Sequence, residues 1–496
     1  MGRSIGSYSA SALAGLVLCH SLVLPGCGGG EPGGQEASAP ALVDDPALIS
    51  QGIPGLDRLQ APWFGDLDEM VERRVIRAAV VHSKTLFFLD GARPRGVTFD
   101  ALTFFEKSLN ERLRTGHLKV HLILIPMARD QLLPALTEGK VDLAAANLTI
   151  TPERLDLVDF SAPLMRNVSE VLVTGAATPE LASLADLEGM EIHVRPSSSF
   201  YQTLLQLNQG FREEGLAPIR VQEADELLES EDLMELVNAG LIPATVVDRH
   251  VADFWAQVFP EVRVHAGVPL KEGGGVAWAF RKDSPQLKSA VDDFAAEHRQ
   301  GTLLGNITLR RYLADVDYVA NPTEGEAQRR YNSALPVFQK YAGEYGFDPL
   351  MLLAMAYQES GLDQSKVSNV GATGIMQLMP TTAADPNVGI PDISTMENNV
   401  HAGTRYLRFI LDRYFSNEPL DELNEHFFAF VAYNAGPARV ARLRAEASEL
   451  GLDPNLWFRN VEHVAARRIG RETVQYVSNI YKYYLTYKRI EQLGGG

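Results

Sequence analysis

The spacing of apolar residues changes character along the chain. From about Met70 to Asp315, short β-branched or apolar runs alternate with segments of helical spacing. Val75 to Val81, Val120 to Ile125, Val141 to Ala146, Glu170 to Thr174, Glu191 to Val194 and Ala244 to Val247 are candidate strands, and Ala101 to Leu113 is a candidate helix. Strands interleaved with amphipathic helices predict α/β units on a largely parallel sheet. After Asp317 the pattern shifts. Asn321-Pro322-Thr323-Glu324-Gly325-Glu326 reads as a polar linker, and Gln328 to Tyr487 is dense in helical periodicity with almost no strand signal. At the start, Ala10 to Leu24 is a mostly apolar run behind Arg3, too short to span a bilayer but suited to the h-region of an export signal. The expected organisation is a signal over 1–26, a spacer over 27–69, an α/β domain over 70–315, a linker over 316–330 and a mainly α domain over 331–490.

Composition narrows the function classes. At 496 residues the chain exceeds what one hydrophobic core usually organises. Apolar residues make up 46% and charged residues 22%, an ordinary globular balance. The formal net charge of −18 argues against a large nucleic-acid footprint, because neutralising phosphates needs clustered Lys and Arg. The two cysteines, Cys19 and Cys27, both lie in the leading segment, so folding of the later domains rests on their cores. The histidines show no His-Glu-x-x-His spacing and no cysteine cluster follows, so neither a metal nor a cofactor is expected.

Two local constellations suggest chemistry. Asp348 is a good N-cap and Pro349 suits the first helical position, after which Leu350, Leu353, Ala354 and Tyr357 recur on one face. Glu359 follows near the end, and Gly361 can supply the left-handed residue that stops the helix. A carboxylate there faces the negative end of the helix dipole among apolar neighbours, and both effects favour its protonated form. A general acid at neutral pH needs that property. The nearby acids Asp363 and Asp385 sit in a polar turn and a loop outside any motif, so one acid is preferred over a carboxylate pair. Earlier in the chain, Thr149 and Thr151 offer hydroxyls at a strand-to-helix turn, and Arg154 offers a planar fork suited to a carboxylate.

Three stretches carry resemblances. Leu24-Pro25-Gly26-Cys27 resembles a bacterial lipobox, which implies lipid attachment at Cys27; Gly28 in the next position implies the periplasmic face of the outer membrane. Leu133 to Asp142, Ala146 to Arg154, Val158 to Pro163 and Gly301-Thr302 resemble the periplasmic amino-acid-binding proteins. That resemblance implies a two-lobed α/β domain, periplasmic-binding-protein-like, in which Thr149, Arg154, Ser198 and Asp248 hold a small amino acid or muropeptide. Arg154 would grip its α-carboxylate and Asp248 would meet its amino group, while Pro196 to Ser199 stand where the family often has a Gly-Thr-Ser turn.

Further on, Ala356 to Gly361, Gly371 to Pro380, Asn399 to Leu407, Ala432 to Gly436, Glu472-Thr473 and Tyr476-Val477 look like the soluble-lytic-transglycosylase-type domain, with its lysozyme-like fold. Taken together, the chain resembles the membrane-bound lytic murein transglycosylase F family. The resemblance implies cleavage of the β-1,4 bond between N-acetylmuramic acid and N-acetylglucosamine in peptidoglycan, leaving a 1,6-anhydromuramoyl end. Glu359 would be the catalytic acid and base. Ser360, Met376 and Gln377 would line the cleft, Tyr433 and Asn434 would orient the acid or the N-acetyl group, and Tyr476 would close the wall. The competing expectations are a lysozyme-type hydrolase and a non-catalytic receptor that only holds solute or peptidoglycan.

Overall fold

The computed structural model describes residues 61–90, 93–302 and 325–494. Cys27, the expected signal and much of the expected linker lie outside the described residues. The α/β domain contributes strands β1 (Val75–Val80), β2 (Phe88–Asp90), β3 (Arg93–Arg95), β4 (His121–Pro126), β5 (Leu143–Thr149), β6 (Asp159–Phe160) and β7 (Met165–Gly175). Then come β8 (Glu191–Val194), β9 (Arg220–Glu223), β10 (Ala244–Asp248), β11 (Val262–Val264) and β12 (Lys271–Phe280). The main sheet runs β4-β1-β5-β12-β7-β10-β8-β9, with β6 also on β12 and β11 also on β7, while β2 and β3 form a separate ribbon.

The sheet is mixed, where the sequence pattern predicts a largely parallel one. β1 is parallel to β4 and β5 in one lobe, and β8 is parallel to β9 and β10 in the other. Between them β12 runs antiparallel to both β5 and β7, and β10 runs antiparallel to β7. The long strands β7 and β12 carry the chain from one lobe to the other and back, so they must oppose each other. The sequence hides β12 because Gly273, Gly274 and Gly275 weaken its strand signal.

Helices cover both lobes: α1 (Leu67–Arg73), α2 (Val97–Leu113), α3 (Leu132–Thr137), α4 (Pro152–Leu157), α5 (Ser199–Glu214), α6 (Ser230–Asn238), α7 (Arg249–Trp255) and α8 (Pro285–His298). Each lobe has its own core, built around Ile76, Phe105, Trp278 and Phe294 in the first and Val171, Met234, Trp255 and Phe259 in the second. Asp142, from the Lys140-Val141-Asp142 stretch, is fully buried against the equally buried Arg77 at 2.8 Å. Its burial is tolerable because the pair satisfies both charges.

The helical domain comprises α9 (Gly325–Tyr345), α10 (Pro349–Ser360), α11 (Pro380–Ala384), α12 (Met396–Tyr414), α13 (Glu422–Ala435), α14 (Pro437–Glu449), α15 (Glu462–Arg468) and α16 (Arg471–Gly494). α10 is buried on every side from Leu350 to Ala356 and packs between α9 and α16. A helix that is apolar all round belongs in the middle of a bundle. Asp348 caps it by accepting from Leu350 N at 2.8 Å and Met351 N at 3.3 Å, and Gly361 ends it at φ +68°.

α16 also docks on the α/β domain. Lys482 pairs with Asp232 of α6 at 2.7 Å, Tyr481 donates to Asp225 at 3.1 Å, and Arg489 donates to the Leu241 carbonyl at 2.8 Å. Gln475 accepts from Leu89 N of the first lobe at 2.9 Å. One helix therefore touches both lobes.

Candidate functional site

Glu359 sits one residue before the end of α10, where the buried helix surfaces. Its carboxyl is half-buried, and loss of solvent pushes its pKa up to about 7. Two groups oppose that shift without cancelling it. The Tyr476 hydroxyl donates to Glu359 Oε1 at 2.7 Å, and the Lys366 ammonium adds a favourable field. Lys366 Nζ also donates to the Glu359 backbone carbonyl at 3.0 Å, filling one of the orphan acceptors at the helix end. A carboxyl poised near neutrality can give a proton and take one back.

The segment after α10 is held to the rest of the domain by side-chain amides, Asn399 buried and Gln364 half-buried. Asn399 of α12 accepts from Met376 N at 2.9 Å and donates to the Thr373 carbonyl at 2.8 Å. Gln364 accepts from Ile375 N at 3.1 Å. Gly374 has φ +83°, and a Cβ there would stand 2.3 Å from Asn399 Nδ2, so only glycine fits. Ser360 Oγ lies 2.7 Å from the Ile375 carbonyl and accepts from Asp363 N at 3.1 Å, tying the helix end to the same segment.

The expected cleft residues divide by role. Tyr476 meets the acid directly. Tyr433 donates to the Met376 carbonyl at 2.9 Å, and burial together with the nearby Glu359 raises its pKa well above the usual phenol value. The Met376 side chain has no exposed surface and packs against Gly403, where a Cβ would come within 2.5 Å of its sulfur. Its side chain therefore belongs to the core of the helical domain rather than to a cleft wall. Gln377, at φ +48°, donates to the Gly374 carbonyl at 2.8 Å and the Lys366 carbonyl at 3.1 Å. Ser360 is buried and serves as the tie just described. Asn434 is exposed in the last turn of α13, and its side chain makes no hydrogen bond among the described residues. Lys366, Gln364 and Asn399 were not singled out as site residues from the sequence. Asn399 carried a signal within its motif, while Lys366 lies in an exposed loop with none.

Asp363 and Asp385 are turn carboxylates. Asp363 accepts from Ser365 N and Oγ at 2.9 and 2.7 Å, which holds its pKa below the usual range. Asp385 accepts from the Asn387 backbone and side chain, both at 2.8 Å.

In the α/β domain, the second expected constellation is brought together between the lobes. Arg154, buried, donates to the Thr149 carbonyl at 2.7 Å and across to the Ser197 carbonyl at 2.9 Å. Burial, with Arg129 and Arg195 nearby, lowers its pKa to about 10. Ser198 caps α5 by accepting from Tyr201 N at 3.2 Å, and Thr151 caps α4. Asp248 accepts from Asn147 at 3.2 Å through one oxygen, while its other oxygen is buried without a partner. Its pKa is pushed up to about 6 by burial. The lobes are also joined by a fork that the sequence did not single out, from Arg129 to Glu229 at 2.5 to 3.2 Å.

The similarities to known proteins follow the same division. Residues 86–310 match the family model of bacterial extracellular solute-binding proteins, family 3, and residues 336–454 match that of the transglycosylase SLT domain. Tyr476 lies beyond the second match. A membrane-bound lytic murein transglycosylase F from Desulfosudis oleivorans is 28% identical over 414 residues, 80% of this chain and 86% of that protein. One from Shewanella sediminis is 30% identical over 444 residues, 85% of this chain and 86% of its own. Among solved structures, an ancestral arginine-binding protein bound to arginine aligns over 48% of this chain and 98% of its own, at 22% identity and a TM-score of 0.39. With both halves matched in order and relatives aligned over most of its length, the chain belongs to the membrane-bound lytic murein transglycosylase F family.

Proposed function

We propose that this protein cleaves peptidoglycan glycan strands at the β-1,4 bond between N-acetylmuramic acid and N-acetylglucosamine, by a lytic transglycosylase reaction. The observation that carries the reading is Glu359, held by Tyr476 at 2.7 Å with its pKa near 7. Glu359 in its protonated form gives its proton to the glycosidic oxygen as the bond from the muramoyl anomeric carbon breaks. The resulting carboxylate takes the proton from the muramoyl 6-hydroxyl as that oxygen closes onto the anomeric carbon. No water is consumed, and the acid is restored. The locally satisfied Asp363 and Asp385 support a single-acid mechanism over a carboxylate pair.

The α/β domain holds a small ligand between its lobes and reports its occupancy to the catalytic domain. Support comes from α16, which carries Tyr476 beside the acid and Lys482 on the second lobe. A ligand that favours one arrangement of the lobes thereby changes the position of α16. Anchoring at the outer membrane through a lipidated Cys27 is part of the same reading, supported by the Leu24 to Cys27 motif. No described helix is long and apolar enough to cross a membrane.

The test is digestion of purified peptidoglycan by the soluble protein and by Glu359→Gln, with mass analysis of the fragments. Anhydromuramoyl ends from the wild type alone are expected. Hydrated ends, one water heavier, would convert the reading to a hydrolase, and no cleavage by either protein would leave a binding function.

A further inference from the structure

Lys366 is exposed in the loop after α10, yet its backbone is firmly placed. Its N–H donates to the Asp363 carbonyl at 3.3 Å, and its carbonyl accepts from Gly374 N at 2.9 Å and Gln377 Nε2 at 3.1 Å. From there the side chain reaches back to the residue that carries the acid, where Nζ donates to the Glu359 carbonyl at 3.0 Å. Val367 and Val370, which follow it, are 62% and 77% exposed, so the outer side of the loop is open to a glycan strand.

Among the described residues the ammonium has no counter-ion within ion-pair distance. It has three donors, and the Glu359 carbonyl engages one. Asp363, in the same turn, is already bonded to Ser365 N and Oγ and lies 3.9 Å from Arg330. Tyr476 and Tyr433, the phenols around the acid, are uncharged at neutral pH because burial raises both. Acidic residues outnumber basic ones in the chain by 63 to 45, so the missing partner does not reflect a shortage of carboxylates.

Left alone, this charge works against the reaction. It favours the ionised form of Glu359, whereas the first step needs the protonated form. It also raises the energy of the positive charge that builds on the anomeric carbon as the glycosidic bond breaks. An anion brought by the substrate offsets both effects, because it neutralises the ammonium only while the strand is bound. The reacting muramoyl residue can supply one. Its 3-O-lactyl group ends in a carboxylate once the stem peptide has been removed. With the peptide attached, that carboxyl is an amide and the carboxylates are the peptide's own.

We infer that Lys366 is a specificity-determining residue, favouring strands that bring a carboxylate of the reacting muramoyl unit against its ammonium. The inference rests on the proposed cleavage of peptidoglycan and adds the substrate feature that this site reads.

The experiment compares kcat/KM of the soluble protein on a peptide-free strand, on the same strand with its lactyl carboxyls converted to primary amides, and on a peptide-bearing strand. The first two differ in charge and hardly in size. If the lactyl carboxylate is read, the peptide-free strand should be preferred to its amide by about tenfold, the scale of a charge-assisted hydrogen bond. If the stem peptide supplies the carboxylate, the peptide-bearing strand should be preferred by a similar factor, and amidation of the peptide-free strand should change little. Lys366→Met should bring the preferred strand and the amide within about twofold of each other. Lys366→Arg, which keeps the charge, should retain most of the preference. Because a ratio of rates is read, partial loss of folded protein leaves the comparison intact. In the wild type, kcat should decline at a higher pH on the preferred strand than on the amide, and in Lys366→Met the two profiles should coincide. Equal kcat/KM on all strands, or a preference that survives in Lys366→Met, would overturn the inference and leave the cleavage reading intact. No cleavage of any strand would overturn both.

Discussion

The Tyr476 hydroxyl donates to Glu359 Oε1 at 2.7 Å across 117 positions of the chain, from a helix whose next turns carry Tyr481 and Lys482 onto the α/β domain. A donor to a carboxylate favours its ionised form, so this contact holds the Glu359 pKa below where burial alone would put it. It also fixes which way the carboxyl points.

Tyr476→Phe keeps the ring and removes the donor. The Glu359 pKa should rise by about one unit, since a charge-assisted hydrogen bond is worth roughly 1.5–3 kcal/mol, part of which water replaces. Turnover of soluble glycan strands should fall about tenfold, as the acid loses its orientation. The pH above which activity declines should move upward. An unchanged pH–rate profile would contradict the assigned contact.

Glu359→Gln should lower turnover by at least roughly a thousandfold. It also has a stability signature with a definite sign. The folded-state pKa of about 7 lies above the ordinary value of 4.5, so between these values the folded protein holds a proton that the unfolded chain releases. The wild type therefore loses stability as pH rises from about 4.5 to about 7, and no further above it. Glu359→Gln lacks that loss. Melting curves should coincide near pH 4, and at pH 8 the variant should be the more stable by about 1–3 kcal/mol, the lower part of that range being favoured by the open edge of the carboxyl.

Lys366→Ala should raise the Glu359 pKa as well, because the ammonium favours the ionised carboxylate. Lys366 is exposed, so the shift should be a fraction of a unit and depend on salt. A pH–rate profile of the wild type in about 1 M salt should approach that of the variant in dilute buffer. Equal salt responses in the two proteins would remove Lys366 from the electrostatics of the site.

Lys482→Met tests the docking of α16. The Lys482 and Asp232 side chains are 13% and 7% exposed, so the truncation strands a nearly buried carboxylate. Lys84 remains 3.4 Å from Asp232 and softens the effect. Docking should weaken by about 2–4 kcal/mol. Calorimetry should then resolve separate unfolding of the two domains where the wild type shows greater overlap. A single transition at an unchanged temperature would argue that the interface does not depend on this pair.

Sequence alone determined the features whose physics is local. Asp348, Pro349 and Gly361 mark the two ends of α10, and Glu359 is placed by counting along it. The alternation of strand and helix signals in the first domain, and their replacement by helical periodicity in the second, were legible because each period repeats over neighbouring residues. The motif after Glu359 was legible too, but its mechanics were not. Asn399 holding the Gly374 turn, Ser360 tying the helix end and Met376 buried against Gly403 all join residues far apart in the chain. Tertiary structure decided those, along with the antiparallel course of β12, hidden behind three glycines, and the Arg129–Glu229 fork between the lobes. It also decided the environment of the acid. Spacing can show that a glutamate ends a buried helix; only the packed fold determines how much water reaches it, and that a tyrosine 117 residues later meets its oxygen. Local signals are written in a few adjacent residues, whereas long-range contacts are set by how whole elements pack and leave no periodic trace in the chain.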